Sequence, residues 1–135
     1  MKWFTVLNNW RQYGQLNTKV SSFVDAKQKC KENGGKLPEP KTSGSNDFWA
    51  GLGISQLFFL GLKETATVGK WEWISDNSTA AWTNFIPGEP VGGTHGKCAA
   101  MNRDATDVAN KKRWISVHCY LSIPRPVVCE RELSK

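Results

Sequence analysis

The stretch Asn17–Leu37, NTKVSSFVDAKQKCKENGGKL, carries the clearest signal of a folded element in the chain. Ser22 predicts a helix N-cap, with Asp25 at the third helical position, and the glycine pair at 34–35 predicts the end of the helix. Four apolar side chains are predicted to share one broad stripe: Phe23, Val24, Ala26 and Cys30. The stretch therefore predicts an amphipathic helix that brings Cys30 to the core, with Lys27, Lys29 and Lys31 on its solvated face.

A second, shorter helix is predicted in KTSGSNDFWAGLG, residues 41–53. Ser43 or Ser45 is expected to cap it, because a serine hydroxyl can accept a hydrogen bond from a free backbone N–H in the first turn. Its apolar side chains are Phe48, Trp49 and Leu52.

The rest of the chain predicts short strands around one long loop. QLFFLGL (56–62) is a continuous apolar run, and Trp71 and Trp73 alternate with Glu72 in WEW. From about residue 75 to 96 the chain is rich in Gly, Pro, Asn, Ser and Thr, which predicts a long and functional loop region. Three further runs read as closing strands: KCAAMN (97–102), RWISVHCY (113–120) and RPVVCERE (125–132). The order predicts an α+β fold, and the length of 135 residues predicts one domain over residues 1–135.

Four cysteines form an even set: Cys30, Cys98, Cys119 and Cys129. None of them are spaced as in a zinc or redox C-x-x-C site, so two disulfides are favoured, and with them an oxidising compartment. The sequon Asn77-Ser78-Thr79 agrees with export and makes Asn77 a candidate glycosylation site. The start, MKWFTVLNNW, has no secretory apolar region, so if the protein is exported we expect this to be a mature form.

The formal net charge of +6 permits binding to polyanions but is more often a means of staying soluble. No apolar run is long enough to cross a bilayer, so we expect no membrane insertion.

These motifs, in this order, resemble a C-type lectin-like domain over nearly the whole chain. The resemblance is carried by the helix with Cys30, the FFLGL and WEW strands, PGEP (87–90), Cys98, WISVHC (114–119) and VVCE (127–130). It implies two helices packed on small antiparallel sheets with a long loop region. It also implies the disulfides Cys30–Cys129 and Cys98–Cys119, the short form of the family without an extra N-terminal pair, and a cis Glu89–Pro90 bond.

The resemblance also shows what this chain lacks at the family's calcium and sugar site. The family holds calcium with a Glu-Pro-Asn or Gln-Pro-Asp loop, a Glu just ahead of the third cysteine, and the Asn-Asp of a Trp-Asn-Asp strand. Here Glu89 and Pro90 are kept, while four positions differ: Val91, Gly96, Ile115 and Ser116. Calcium prefers six to eight oxygen ligands. We therefore expect no metal and no cofactor, unless other oxygens such as those of Asp104 or Asp107 rebuild the site.

Several residues of this region are candidate ligand contacts. Glu89 could accept hydrogen bonds from a ligand, although a purely structural role in the turn is favoured. His95 lies in the loop and could contact a ligand or titrate near neutral pH, although a lone loop histidine is more often only exposed. Trp114 could stack on a ligand or belong to a secondary core. The basic run Lys111-Lys112-Arg113 could bind sulfate groups, although such runs are usually only solvated.

No catalytic motif is present: the sequence has no G-x-S-x-G, no P-loop and no paired nucleophile and histidine, so we expect no enzyme. The sequence predicts a secreted or extracellular recognition module that works without calcium. Three classes of partner are considered: a protein surface, which is favoured, an anionic glycan such as a sulfated polyanion, and a neutral sugar bound in a non-standard way. Nucleic acid is not expected. The alternative is a carbohydrate-binding lectin with a divergent or rebuilt calcium site.

Overall fold

The computed structural model describes residues 3–5, 11–51, 54, 56–90, 97–101 and 113–132. Their elements in chain order are β1 (Trp3–Thr5), β2 (Arg11–Ser22), α1 (Phe23–Glu32), α2 (Ser43–Ala50), β3 (Phe58–Glu64), β4 (Trp71–Trp73), β5 (Cys98–Met101), β6 (Trp114–Val117) and β7 (Tyr120–Glu132). The strands form two antiparallel sheets, one in the order β1-β2-β7 and the other in the order β4-β3-β5-β6. The predicted α+β class and the predicted two helices on small antiparallel sheets are confirmed. Neither described helix is long and apolar enough to cross a bilayer.

Helix α1 begins as the sequence predicts. The Ser22 hydroxyl accepts a hydrogen bond from the Asp25 N–H at 3.0 Å, and Gly34 takes the left-handed conformation just beyond the last turn, with φ +81°. The prediction that Val24 shares the buried stripe is wrong, because its side chain is 70% exposed. At 100° per residue, Val24 is turned well away from the stripe formed by the buried Phe23, Ala26 and Cys30.

Helix α2 is present, but its predicted cap is wrong. Thr42, not Ser43 or Ser45, is the N-cap residue, and its hydroxyl accepts a hydrogen bond from the Ser45 N–H at 3.2 Å. The reason is that Thr42 is the last residue with extended backbone before helical geometry starts at Ser43. Leu52, predicted as part of this helix, lies outside the described residues.

The long strand β2 was not predicted. It pairs with β7 along most of its length, with Gly14 opposite Cys129 and Arg11 opposite Glu132. The sequence of β2, RQYGQLNTKVSS, is polar and carries no sustained alternation of apolar residues. Its strand conformation depends on partners on both sides, β1 and β7, and β7 lies about a hundred residues away in sequence.

Both predicted disulfides are confirmed. Cys30–Cys129 joins α1 to β7, and Cys98–Cys119 joins β5 to the residue that precedes β7. Cys30, Cys98 and Cys129 are fully buried. The two bridges therefore fix the second sheet and the helix to the same long strand.

A buried acidic pair, Glu39 and Glu130, links β7 to the segment before α2 and to the residues after β4. Glu130 on β7 accepts a hydrogen bond from the Glu39 N–H, and the Arg11 guanidinium lies 3.3 Å from its carboxylate. The Glu39 carboxylate in turn accepts hydrogen bonds from the Ser75 N–H and hydroxyl, at 3.0 and 2.7 Å. Gly61 on β3 makes room for this side chain, since a Cβ there would lie 3.0 Å from the Glu39 Cγ. The network connects segments that are far apart in sequence.

Burial raises the pKa of the Glu130 carboxyl above its ordinary value, and this outweighs the lowering by the Glu39 N–H and by Arg11. A carboxyl whose pKa is higher in the folded chain binds its proton more tightly there. Its contribution to the free energy of unfolding is therefore largest at acid pH and falls as pH rises through the raised pKa.

Replacing Glu130 by Gln should show this directly. The amide oxygen can still accept the hydrogen bond from Glu39, but the group no longer titrates. The stability of Glu130→Gln relative to the native chain should therefore increase between about pH 4 and about pH 7. Thermal unfolding of both proteins across this range measures the difference. Glu132→Gln, at an exposed position on the same strand, is the matched control and should show the smaller pH dependence. A Glu130→Gln variant that loses relative stability as pH rises would contradict the assignment.

Candidate functional site

Strand β6 forms the floor of the candidate site, and Trp114 is its anchor. The Trp114 ring is fully buried and meets Trp82, Phe85 and Trp73 edge to face, with centroids 5.6, 5.5 and 5.9 Å away. Its indole N–H donates a 2.7 Å hydrogen bond to Asn46 Oδ1 on α2. The prediction that Trp114 contacts a ligand directly is therefore wrong. Its ring belongs to the core beneath the site, and its indole N–H has a hydrogen-bond partner inside the protein.

The loop that carries Glu89 is held against β6 by backbone hydrogen bonds. The Trp114 N–H donates to the Asn84 carbonyl and the Ile86 N–H donates to the Trp114 carbonyl, both at 2.9 Å. A turn follows in which the Glu89 N–H donates to the Ile86 carbonyl at 2.8 Å. The Glu89–Pro90 bond is cis, as the resemblance implies. This places the Glu89 side chain over the strand, two residues past Trp114.

The Glu89 carboxylate is engaged by Ser116. Its Oε1 accepts one hydrogen bond from the Ser116 N–H at 2.8 Å and a second from the Ser116 hydroxyl at 2.7 Å. Ile115, the neighbouring residue, is buried beside Leu57 and Ile86 in an apolar cluster. Ile115 and Ser116 occupy the two strand positions where the family has calcium ligands. The first has an apolar side chain and the second donates hydrogen bonds.

These residues do not fit a calcium ion. Among the residues that the structure describes, no three carboxylate, histidine or cysteine side chains lie close enough together to hold a metal. The Lys97 ammonium pairs with the carboxylate of Glu64, 3.8 Å away. Val91, Gly96, Asp104 and Asp107 lie outside the described residues.

The other predicted site residues are only partly brought together. Arg113 is half-buried at the start of β6, whereas His95, Lys111 and Lys112 lie outside the described residues. Asn77 is exposed on a turn after β4, with φ +58°. Hydrogen bonds from the Ser78 hydroxyl and N–H hold the pKa of the neighbouring Asp76 carboxyl well below its usual range, which stabilises this turn.

Asn46 is the residue of this region that sequence reasoning missed. It looks like an ordinary polar residue of a short helix, yet it is 2% exposed and binds the indole of Trp114. No local pattern identifies it, since its partner lies 68 residues away.

Asn46→Ala should leave the buried Trp114 N–H without an acceptor, at a cost of about 1–3 kcal/mol in the free energy of unfolding. The melting temperature should fall by at least about 3 °C in a domain of this size. Ser45→Ala, in the same helix, is the matched control and leaves the Trp114 hydrogen bond intact. Equal melting temperatures for the two variants would show that the hydrogen bond contributes nothing net.

Comparison with known proteins agrees with this geometry. The family model described as "Lectin C-type domain" matches residues 19–131. C-type lectin domain family 17, member A, of Homo sapiens is 29% identical over 116 residues, which are 85% of this chain and 28% of that protein. C-type lectin domain family 6 member A of Mus musculus is 30% identical over 94 residues, covering 65% of this chain and 45% of that one. The chain thus spans less than half the length of these two relatives.

Solved structures share the fold at low sequence identity. The mouse scavenger receptor C-type lectin carbohydrate-recognition domain has a TM-score of 0.80 at 19% identity, with 98% of this chain and 96% of that chain covered. A calcium-independent type II antifreeze protein has a TM-score of 0.76 at 16% identity, with coverages of 96% and 91%. A family match over most of its length, two helices, two small sheets and two disulfides together show that the chain belongs to the C-type lectin domain family.

Proposed function

We propose that the chain is an extracellular recognition module of C-type lectin fold that binds its partner without calcium. One observation carries the proposal: the retained carboxylate of Glu89 already accepts two hydrogen bonds from Ser116, and both are half-buried. In a calcium site this carboxylate would be a ligand of the ion. In this chain it holds the long loop to β6. Glu89 is a structural residue of the loop, and its replacement would loosen the loop rather than remove a metal.

The chemistry of the neighbouring positions supports the same conclusion. A calcium ion in a protein takes six to eight oxygens, several of them from carboxylates. The Ile115 side chain contributes no oxygen, and the Ser116 hydroxyl donates a hydrogen bond to Glu89. A metal that bound Glu89 Oε1 would have to displace both hydrogen bonds from Ser116. It would gain no second carboxylate from the strand in return.

Without calcium ligands the site has no ion to bind a partner, and this affects the class of partner that we expect. In a calcium-dependent lectin the ion binds sugar hydroxyls, so a module without it needs other means of recognition. A protein surface is the favoured partner, contacted through the long-loop region, and an anionic glycan bound near Arg113 is the second class. One protein of the same fold is a calcium-independent type II antifreeze protein, which supports the view that the fold can serve a function without the ion. Another was solved in complex with an N-glycan, so a sugar partner stays among the alternatives.

Calcium should leave the stability of this chain unchanged. A site with a Kd near about 1 mM would add roughly 1.4 kcal/mol at about 10 mM calcium and raise the melting temperature by about 3–5 °C. We expect a shift below about 1 °C, and none when a chelator is added. A saturable rise in the native chain would show that other oxygens have rebuilt the site.

The double variant Ile115→Asn, Ser116→Asp is the matched control for this measurement. It returns the two family ligands to the strand and frees Glu89 from its hydroxyl donor. A calcium-dependent rise in this variant together with none in the native chain would assign the loss to these two positions.

A glycan array, probed with and without chelator at two salt concentrations, tests the partner. Binding to sulfated glycans should be weakened by salt, as counterion release from a polyanion requires, and should not respond to chelator. No glycan binding under any condition agrees with a protein partner. Binding of neutral sugars that chelator abolishes would contradict the proposal and make the chain an ordinary lectin.

A further inference from the structure

Three large apolar side chains are exposed close together, far along the chain from Glu89. Val24 at the start of α1 is 70% exposed, Tyr120 at the start of β7 is 73% exposed, and Ile123 is 61% exposed. The backbone brings the chain at Val24 close to Tyr120, since Ser22 pairs with Tyr120 and the Phe23 N–H donates to the Cys119 carbonyl at 2.8 Å, and Ile123 follows Tyr120 by three residues on the same strand. We call Val24, Tyr120 and Ile123 the apolar tip.

The apolar tip protrudes, because strand β7 bulges beneath it. Ser22 pairs with Tyr120 and Val20 pairs with Arg125, so two residue steps of β2 oppose five steps of β7. The extra residues have no partners in the ladder and must bow outward. Ser122, Ile123 and Pro124 within the bulge are all exposed. An exposed segment of this kind differs from the groove that would be expected for a site that encloses a small ligand.

Cations surround the tip. Lys27 follows Val24 by about one turn on the exposed face of α1, and Lys19 and Arg125 lie where the bulge rejoins the ladder. The Lys63 ammonium lies 5.9 Å from the ring of Phe23. We call these four residues the cationic ring: Lys19, Lys27, Lys63 and Arg125.

The charges of the cationic ring are not neutralised by ion pairs within the described parts of the chain, which is true also of Lys31, Arg113 and Arg131. In the described parts of the chain, ion pairs are formed by Arg11, Lys29, Lys36, Lys41, Lys70 and Lys97. No member of the ring forms one within these parts. Lys19, Lys27 and Lys63 are exposed, whereas Arg125 is half-buried and its Nε is buried, so the accessible charges of the ring are those of the three lysines. Asp25 is the one acidic side chain of the first turn of α1. The ring therefore carries a net positive charge.

We propose that the apolar tip and the cationic ring form a docking surface for the headgroup region of an anionic phospholipid bilayer. Tyr120 has an aromatic body and a polar hydroxyl, a combination that favours the membrane interface. Ile123 and Val24 enter the boundary between headgroups and acyl chains, and the ring contacts lipid phosphates. The tip is too short to cross the bilayer, so the contact is peripheral. Its exposure and the spread of its charges suit a deformable anionic surface better than a shaped protein pocket.

Sedimentation with vesicles tests the proposal. The native chain should sediment with vesicles made of equal parts phosphatidylserine and phosphatidylcholine, and not with phosphatidylcholine alone. Added salt should weaken the binding, since the Debye length shortens. Ile123→Ser should weaken it about tenfold, the effect of withdrawing one branched side chain from the acyl boundary. Lys27→Gln should weaken the binding by a smaller factor, about fivefold, because this is the contribution of one lysine to binding at an anionic membrane surface.

Matched controls exist at distant positions. Val68→Ser removes an apolar side chain of similar exposure, 69%, from the turn between β3 and β4, and Lys70→Gln removes a charge from the same turn. Both should bind as the native chain does, and all four variants should keep the native melting temperature. A failure of the native chain to bind anionic vesicles would overturn the proposal and leave the tip as a contact for a protein. Binding that Ile123→Ser and Val68→Ser weaken equally, or that only the lysine variant weakens, would also overturn it, because adsorption would then not depend on the tip.

Discussion

The fold depends on the fixing of strand β7 around Cys129. A covalent bond ties this residue to α1, the ladder ties it to Gly14 of β2, and the next residue, Glu130, is buried against the backbone of Glu39. Each contact joins parts of the chain that are far apart in sequence, and closing such loops is the main entropic cost of forming this topology. Once β7 is in place, little conformational freedom is left to the elements that it contacts: α1, the first sheet and the segment before α2.

The candidate site lies on the second sheet, which the Cys98–Cys119 bridge joins to the residue that precedes β7. Trp114 is buried between the second sheet and α2, and its neighbours in the loop are held to β6 by backbone hydrogen bonds. Ser116 is one of the four positions at which this chain differs from the family's calcium site, and it hydrogen-bonds to Glu89. A hydroxyl at residue 116 donates to Glu89, whereas a carboxylate there would repel it. The loop at Glu89 is thus held to β6 by a donor–acceptor pair.

Local signals were enough to predict some parts of this structure. The capping serine and the glycines of α1 act within a few residues, so the helix follows from the sequence, and the spacing of cysteines and motifs supported the correct disulfide pairing through resemblance. The strand β2 could not be predicted, because its polar residues become a strand only between two partners. The same holds for the hydrogen bonds from Trp114 to Asn46 and from Ser116 to Glu89, whose partners are distant in sequence. The exposure of Val24 was missed for a different reason, since an apolar residue was assumed to be buried.

The bridge between Cys30 and Cys129 also decides how the protein responds to mechanical tension. When a force pulls the two ends of the chain apart, the load runs from the N-terminal part to Cys30, across the two sulfur atoms, and out through Cys129. The bridged cysteines are 99 residues apart in sequence, so the segment between them is bypassed. Pulling can unzip β2 from the last residues of β7, but it cannot extend the segment that holds Glu89, Trp114 and Ser116. A recognition surface in that segment would keep its shape while the ends of the chain are under load.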